Sequence, residues 1–185
     1  MTHDHYEMRF AGSGGQGMML MGDIMAEAAG GLDDKEIVLI RSYGPEARGG
    51  ACRSELIIDT RPIDYPTVRH PDFVLAMSQE AADTYCKDVS SQGIFLVDPG
   101  FVHDIPKTSG QVYAIPLTEL AESVTGNTLA ANVVAIGAIA ALTKVESLSI
   151  VKSAVLDHFK PKLFRSPLNE KAYDAGVAAA QALIK

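Results

Sequence analysis

Six residues near the start, Gly12-Ser13-Gly14-Gly15-Gln16-Gly17, constrain this chain more than any others. They lie between residues 6–11 (YEMRFA), which read as a short strand, and residues 18–29, an apolar stretch of helix formers. Glycines at 12, 14, 15 and 17 permit a tight turn and close backbone approach, and Gly12, Gly14 and Gly17 satisfy G-x-G-x-x-G in a strand-turn-helix context. The N–H groups at the start of the helix favour an anion, so a ligand phosphate fits the turn. The alternative is that the glycines only let strand and helix pack closely. The dinucleotide fingerprint also requires an acid at the tip of the second strand, about 20 residues on. Here that strand, residues 36–40 (EIVLI), ends in Arg41 and Ser42. Arg41 would suit an NADP phosphate instead, which keeps a stand-alone NADP-binding protein among the alternatives.

The rest of the chain repeats the opening pattern. Residues 36–40 form a continuous apolar run, as expected of a parallel strand covered on both faces, whereas residues 51–59 (ACRSELIID) alternate and give one more polar face. Residues 73–77, 93–97 and 111–115 are further short strand candidates, and residues 78–87 form a helix with Ser78 as N-cap. The later part is helical. Residues 129–142 are apolar nearly all round, which predicts a helix buried on every side. Two more helices are expected after Ser147 and after Pro167. The predicted fold is α/β, a Rossmann-like three-layer single domain over 1–185 with a mainly parallel sheet and a helical C-terminal part. A chain of 185 residues suits one such domain.

Charge and cysteine content narrow the function. With 16 Lys+Arg against 23 Asp+Glu, the net charge of −7 argues against a nucleic acid backbone or an anionic membrane as the main partner. No apolar run approaches the roughly 18 residues of a membrane span, and the start lacks the features of a signal peptide, so a cytoplasmic location is expected. Cys52 and Cys86 are the two cysteines, too few for an iron–sulfur cluster, and the five histidines are scattered. No metal site and no catalytic residue is expected on this chain. Met18, Met19, Met21 and Met25 read as core filling.

Five of the seven arginines fall within residues 41–71. The loop SYGPEARGG, residues 42–50, follows the second strand on the carboxyl edge of the sheet, where open α/β folds place ligands. Its Gly-Pro and Gly-Gly elements shape a backbone that carries Tyr43, Glu46 and Arg48, a set that a purely structural loop does not require. Together with the turn, the candidate cofactor-binding or active-site-facing residues are therefore Gly12, Gly14, Gly15, Gln16, Gly17, Tyr43, Glu46 and Arg48. The arginine-rich segment and the apolar residues 129–142 are both expected to mark contacts between subunits.

GSGGQG, SYGPEARGG, SELIID, PIDYP, PDFVLAMSQEA, GIFLVDPG, VYAIPLTELA and NEKAYDAG together resemble the gamma subunit of 2-oxoacid:ferredoxin oxidoreductases, most closely the 2-oxoglutarate type. The small subunit of indolepyruvate oxidoreductase shares the glycine turn and is the nearer alternative. A purely structural assembly subunit is another. The resemblance implies a heteromultimer in which a 2-oxoacid is decarboxylated on thiamine diphosphate, electrons pass through iron–sulfur clusters to ferredoxin, and the acyl group goes to coenzyme A. It also implies alpha, beta and ferredoxin-like delta subunits as partners, and no activity in this chain alone. The cofactors would sit in the complex, because the nearest thiamine-type motif here, Gly22-Asp23-Ile24, lies inside the first predicted helix.

Overall fold

The computed structural model describes residues 4–31, 35–43, 51–159 and 167–184. Its centre is a six-stranded sheet in the order β2-β3-β1-β4-β5-β6, formed by β1 (His5–Ser13), β2 (Glu36–Tyr43), β3 (Ala51–Asp59), β4 (Phe73–Ala76), β5 (Ile94–Val97) and β6 (Gln111–Ala114). The pairs β1–β4, β4–β5 and β5–β6 are parallel. The pairs β1–β3 and β2–β3 are antiparallel. Three of five pairings thus match the mainly parallel expectation, and the arginine-bearing side departs from it. Residues 44–50 are too few for the crossover of a dozen or more that a parallel connection needs, so β2 and β3 can only pair antiparallel. The continuous apolar β2, read as a doubly covered parallel strand, is instead an edge strand with half-buried side chains at 37–40.

The six helices divide unequally between the two faces. On one face lie α1 (Met18–Ala29), α3 (Leu117–Thr125), α4 (Ala131–Thr143), α5 (Leu148–His158) and α6 (Pro167–Leu183), packed with Met8, Phe10, Leu56, Phe73, Leu75 and Leu96 in the main core. On the other face α2 (Gln79–Tyr85) covers Ala11, Val74, Ala76, Phe95 and Val97 in a smaller one. Period-two alternation along the strands sends these two sets to opposite sides. Ser78 and Ser147 cap α2 and α5 as expected, each hydroxyl accepting a backbone N–H three residues on.

The burial of α4 on every side has a specific cause. It packs against α1, α3, α5 and α6. Its crossing with α6 is close because a Cβ at Gly137 would overlap the Tyr173 carbonyl and one at Gly176 would overlap the Val134 carbonyl. Val133, Val134, Ala135, Ile136, Ala138 and Ile139 are at most 1% exposed. Over residues 131–142 the apolar surface is consumed within the chain, which corrects the expectation that this part of the segment 129–142 marks an interface. The helix start is also corrected, because Leu129 belongs to a 3-10 turn over Thr128–Ala130 and is 72% exposed. Met18, Met21 and Met25 fill the core as expected, while Met19 is only half-buried. Cys86 is buried and Cys52 partly so.

Candidate functional site

β2 runs antiparallel to β3, and β3 antiparallel to β1, so β1 and β2 point the same way. The carboxyl ends of β1, β2, β4, β5 and β6 therefore share one edge of the sheet, and the glycine turn sits there. Gly15 (φ 95°) and Gly17 (φ 82°) adopt left-handed backbone that disfavours a side chain. The Ser13 N–H donates to Gln16 Oε1 at 2.7 Å, and Gln16 Nε2 donates to the Met77 carbonyl at 2.7 Å. A Cβ on Gly12 would come within 2.5 Å of Gln16 Oε1, and one on Gly17 would strike the Asn132 carboxamide at the start of α4. Gly12, Gln16 and Gly17 are thereby engaged within the protein. Gly14 and Gly15 form the exposed apex, and nothing lies within 4 Å of a Cβ built on Gly15.

Beside this apex is an open cleft of about 420 Å³ lined by Gly15, Gln16, Met77, Phe101, Thr118, Thr128, Leu129 and Ala131. None of these side chains is ionisable. Phe101 and Leu129 stand at its mouth, 45% and 72% exposed. Its far wall is set by Asp98, a buried residue just past β5 whose carboxylate accepts the Gly100 N–H at 2.9 Å, the Thr118 N–H at 2.9 Å and the Thr118 hydroxyl at 2.6 Å. Those bonds tie the segment carrying Phe101 to the first turn of α3. The first turn of α1 has no side-chain cap and no acidic residue, so its positive end is not neutralised locally.

Of the residues expected at the site, Gly15 and Gln16 line the cleft, with Gly12, Gly14 and Gly17 in the same turn. Tyr43 ends β2, two strand spacings or about 10 Å from β1. Glu46 and Arg48 lie outside the described residues. Sequence reasoning missed Phe101, Thr118 and Leu129. A signal existed in Asp98-Pro99-Gly100, an acid followed by turn residues at a strand's carboxyl end, but its partner Thr118 is 20 positions away.

The nucleotide alternatives lose their geometry. Arg41, proposed for an NADP phosphate, forms an ion pair with Asp23 of α1, and β3 separates β2 from β1. Two other described arginines of the segment are also engaged. Arg53 donates to the Tyr85 hydroxyl at 3.1 Å, and Arg61 Nε lies 3.4 Å from Asp59. The Gly22-Asp23-Ile24 sequence is within α1, where Gly22 packs on Ser54, so it does not form a thiamine diphosphate site. Among the described residues no group of three or more His, Cys, Asp or Glu could hold a metal ion, and no helix is long and apolar enough to cross a membrane.

Residues 7–179 match the protein family described as pyruvate ferredoxin/flavodoxin oxidoreductase. The chain is 42% identical over 153 residues to the 2-oxoglutarate synthase subunit KorC of Methanocaldococcus jannaschii, an alignment covering 82% of each protein. It is similar to the solved structure of a keto/oxoacid ferredoxin oxidoreductase gamma subunit from Geobacter sulfurreducens, with a TM-score of 0.86 and 42% identity over 97% of this chain and 98% of that one. It also superposes, with a TM-score of 0.86 and 26% identity, on the 2-oxoglutarate:ferredoxin oxidoreductase from Magnetococcus marinus solved with 2-oxoglutarate, coenzyme A and succinyl-CoA bound. That match covers 99% of this chain and 32% of the other, whose matching region is part of a longer polypeptide.

Proposed function

The chain belongs to the pyruvate ferredoxin/flavodoxin oxidoreductase family and is a gamma subunit of a 2-oxoglutarate-type 2-oxoacid:ferredoxin oxidoreductase, and from that premise we propose that its carboxyl-edge cleft faces coenzyme A in a shared active site. The observation that carries the subunit reading is the end-to-end correspondence with a solved gamma subunit. The KorC identity favours the 2-oxoglutarate branch over the indolepyruvate alternative. The partners are alpha, beta and ferredoxin-like delta subunits, which hold the thiamine diphosphate and the iron–sulfur cluster. Those groups supply decarboxylation of the 2-oxoacid and passage of two electrons to ferredoxin, with the acyl group going to coenzyme A.

The cleft suits the uncharged arm of coenzyme A better than a 2-oxoacid. Its walls are apolar or carry hydroxyls, and a dicarboxylate would find no cation among the lining residues. The uncapped first turn of α1 offers N–H donors to a phosphate. Tyr43 ends β2 and the sequence that follows it carries Glu46 and Arg48; in this reading Arg48 makes a charge-assisted contact either to a coenzyme A phosphate or to a partner carboxylate.

Reconstitution tests this reading. Reduction of ferredoxin that requires both 2-oxoglutarate and coenzyme A is expected when this chain is mixed with its partners and not with the chain alone. Equal turnover by the partners without it would overturn the assignment. Arg48→Lys should raise the KM for coenzyme A with assembly intact if the contact is to phosphate, and weaken co-purification if it is to a partner. Parent behaviour of both Arg48→Lys and Arg48→Ala would make the loop a structural connector.

A further inference from the structure

The glycine turn divides into an exposed apex, Gly14 and Gly15, and a braced base. One side chain provides the brace. Gln16 has one amide oxygen and one amide nitrogen, and each is engaged at 2.7 Å, the oxygen by the Ser13 N–H and the nitrogen on the Met77 carbonyl. The Gln16 N–H also closes the turn on the Ser13 carbonyl at 3.2 Å, and the Met77 N–H donates to the Ala11 carbonyl at 2.9 Å. The turn after β1 is thus fastened to the chain leaving β4. Gly12 is part of the same device, because any side chain there would displace the Gln16 carboxamide. These two bonds fix the orientation of the Gln16 carboxamide, with one N–H and one oxygen lone pair beyond them.

We infer that Gln16 is a positioning residue: by bridging Ser13 and Met77 it fixes the Gly14–Gly15 apex on the rim of the cleft and so sets the enzyme's affinity for coenzyme A without contacting the reacting atoms. The inference rests on the reading that the cleft faces coenzyme A. Its chemical signature is the need for a donor and an acceptor on one side chain. Asparagine is one methylene too short for the span, and alanine removes both bonds. A glutamate carboxylate accepts from Ser13 but presents a second oxygen to the Met77 carbonyl. Ionised across the neutral range, glutamate keeps the acceptor and lacks the donor.

The test uses the assembled enzyme with coenzyme A, at pH values from 8 to 6. Gln16→Ala is expected to raise the KM for coenzyme A by roughly 10- to 100-fold, with kcat at saturating coenzyme A within about twofold of the parent. Gln16→Glu should also raise that KM across this range, because its carboxylate stays ionised and cannot donate to Met77, each value being compared with the parent at the same pH. Amide hydrogen exchange at Ser13 should be faster in Gln16→Ala than in the parent at the same pH, and slower in Gln16→Glu than in Gln16→Ala, since a carboxylate still accepts the Ser13 N–H. An unchanged KM in Gln16→Ala overturns the inference. So does a loss of assembled enzyme with the KM unmoved, which marks a merely structural role, or a Gln16→Glu enzyme with the parent's KM, which would show that the bond to Met77 is not needed. Leu129→Ala, at the exposed mouth of the cleft, separates the two ideas. If it raises the KM for coenzyme A while Gln16→Ala does not, the brace is wrong and the cleft reading stands. If Leu129→Ala, Phe101→Ala and Gln16→Ala all leave that KM unchanged, the cleft reading itself fails.

Discussion

The two halves of the sheet are held in different ways. In the parallel half, β4 and β5 are four residues each and apolar throughout, packed on both faces, so very short strands suffice. In the antiparallel half, β2 and β3 are eight and nine residues, and one face of the ribbon carries charge. Glu55 and Arg9 have side chains only 7% and 5% exposed. Arg9 Nε donates to Glu55 at 2.6 Å, its Nη1 pairs with Asp88, its Nη2 donates to the Val68 carbonyl at 3.0 Å, and its guanidinium lies over the Tyr85 ring. Where one half is stabilised by burial of hydrocarbon, the other depends on completing every hydrogen bond of a buried ion cluster. The glycine turn sits on β1, the strand the two halves share.

The largest expected effect is on the helical layer behind the parallel half. Gly176→Val would drive a side chain into the Val134 carbonyl, a backbone atom that cannot move alone, and should cost more than about 4 kcal/mol. Loss of soluble folded protein checks it, and a cooperative urea transition near that of the parent would refute the close crossing of α4 and α6.

Arg9→Met comes next, because it takes the buried, hydrogen-bonded cation from Glu55 and leaves only the half-exposed Arg53, whose Nε is 3.6 Å away. A cost of about 3–5 kcal/mol is expected by urea denaturation. Adding Glu55→Leu should recover most of that loss, since Asp88 is exposed enough to be hydrated. If the double variant is no better than the single, the ribbon is not held by the ion pair and the contrast between the halves fails.

A smaller loss, about 2 kcal/mol, is expected for Thr118→Val, which removes one charge-assisted bond to Asp98 while the two backbone donors remain. Because α3 and the Phe101 segment would loosen together, the KM for coenzyme A should rise as well. A stability change without any change in that KM would remove Asp98 and Thr118 from the cleft's framework.

The smallest effect is a pH dependence at the free end of the ribbon. His5 lies 2.6 Å from Asp59 and 3.3 Å from Glu7. Partial desolvation lowers its pKa, but the hydrogen bonds and charges of these two carboxylates outweigh it and hold the pKa above 6.5. The contribution is therefore complete below pH 6.5 and is lost as pH rises through the folded-state pKa. Desolvation raises the Asp59 carboxyl, yet the Arg61 backbone N–H, the His5 ring and the Arg61 guanidinium bring it down to about 2, so the pair survives mild acid. With the His5 ring 43% exposed, solvent screening limits the contribution to below about 1 kcal/mol. An NMR titration of His5 with a pKa at or below 6.5 would show that the pair adds nothing.

Much of the fold was legible because it depends on local pattern. The strand-turn-helix opening, the caps at Ser78 and Ser147 and the encircled burial of α4 each follow from residue spacing. The site was less legible. Gly14 and Gly15 could be named as candidates, but that Gln16 binds its own chain depends on Met77, which is 61 positions away. The arginines looked like a ligand or interface set because five fall close together, whereas Arg41, Arg53 and Arg61 find partners inside the chain.

The sequence by itself determined the kind of layers this protein builds and the edge of the sheet where its turn would sit, because alternation, helical period and glycine content act over a few residues. Only the tertiary structure decided which strands are neighbours, since β3 must enter antiparallel once its connection is too short to cross over. It also decided which polar groups remain available. A hydrogen bond takes whichever partner the fold brings within 3 Å, and for Gln16, Asp98 and Arg9 those partners lie 20 or more positions away.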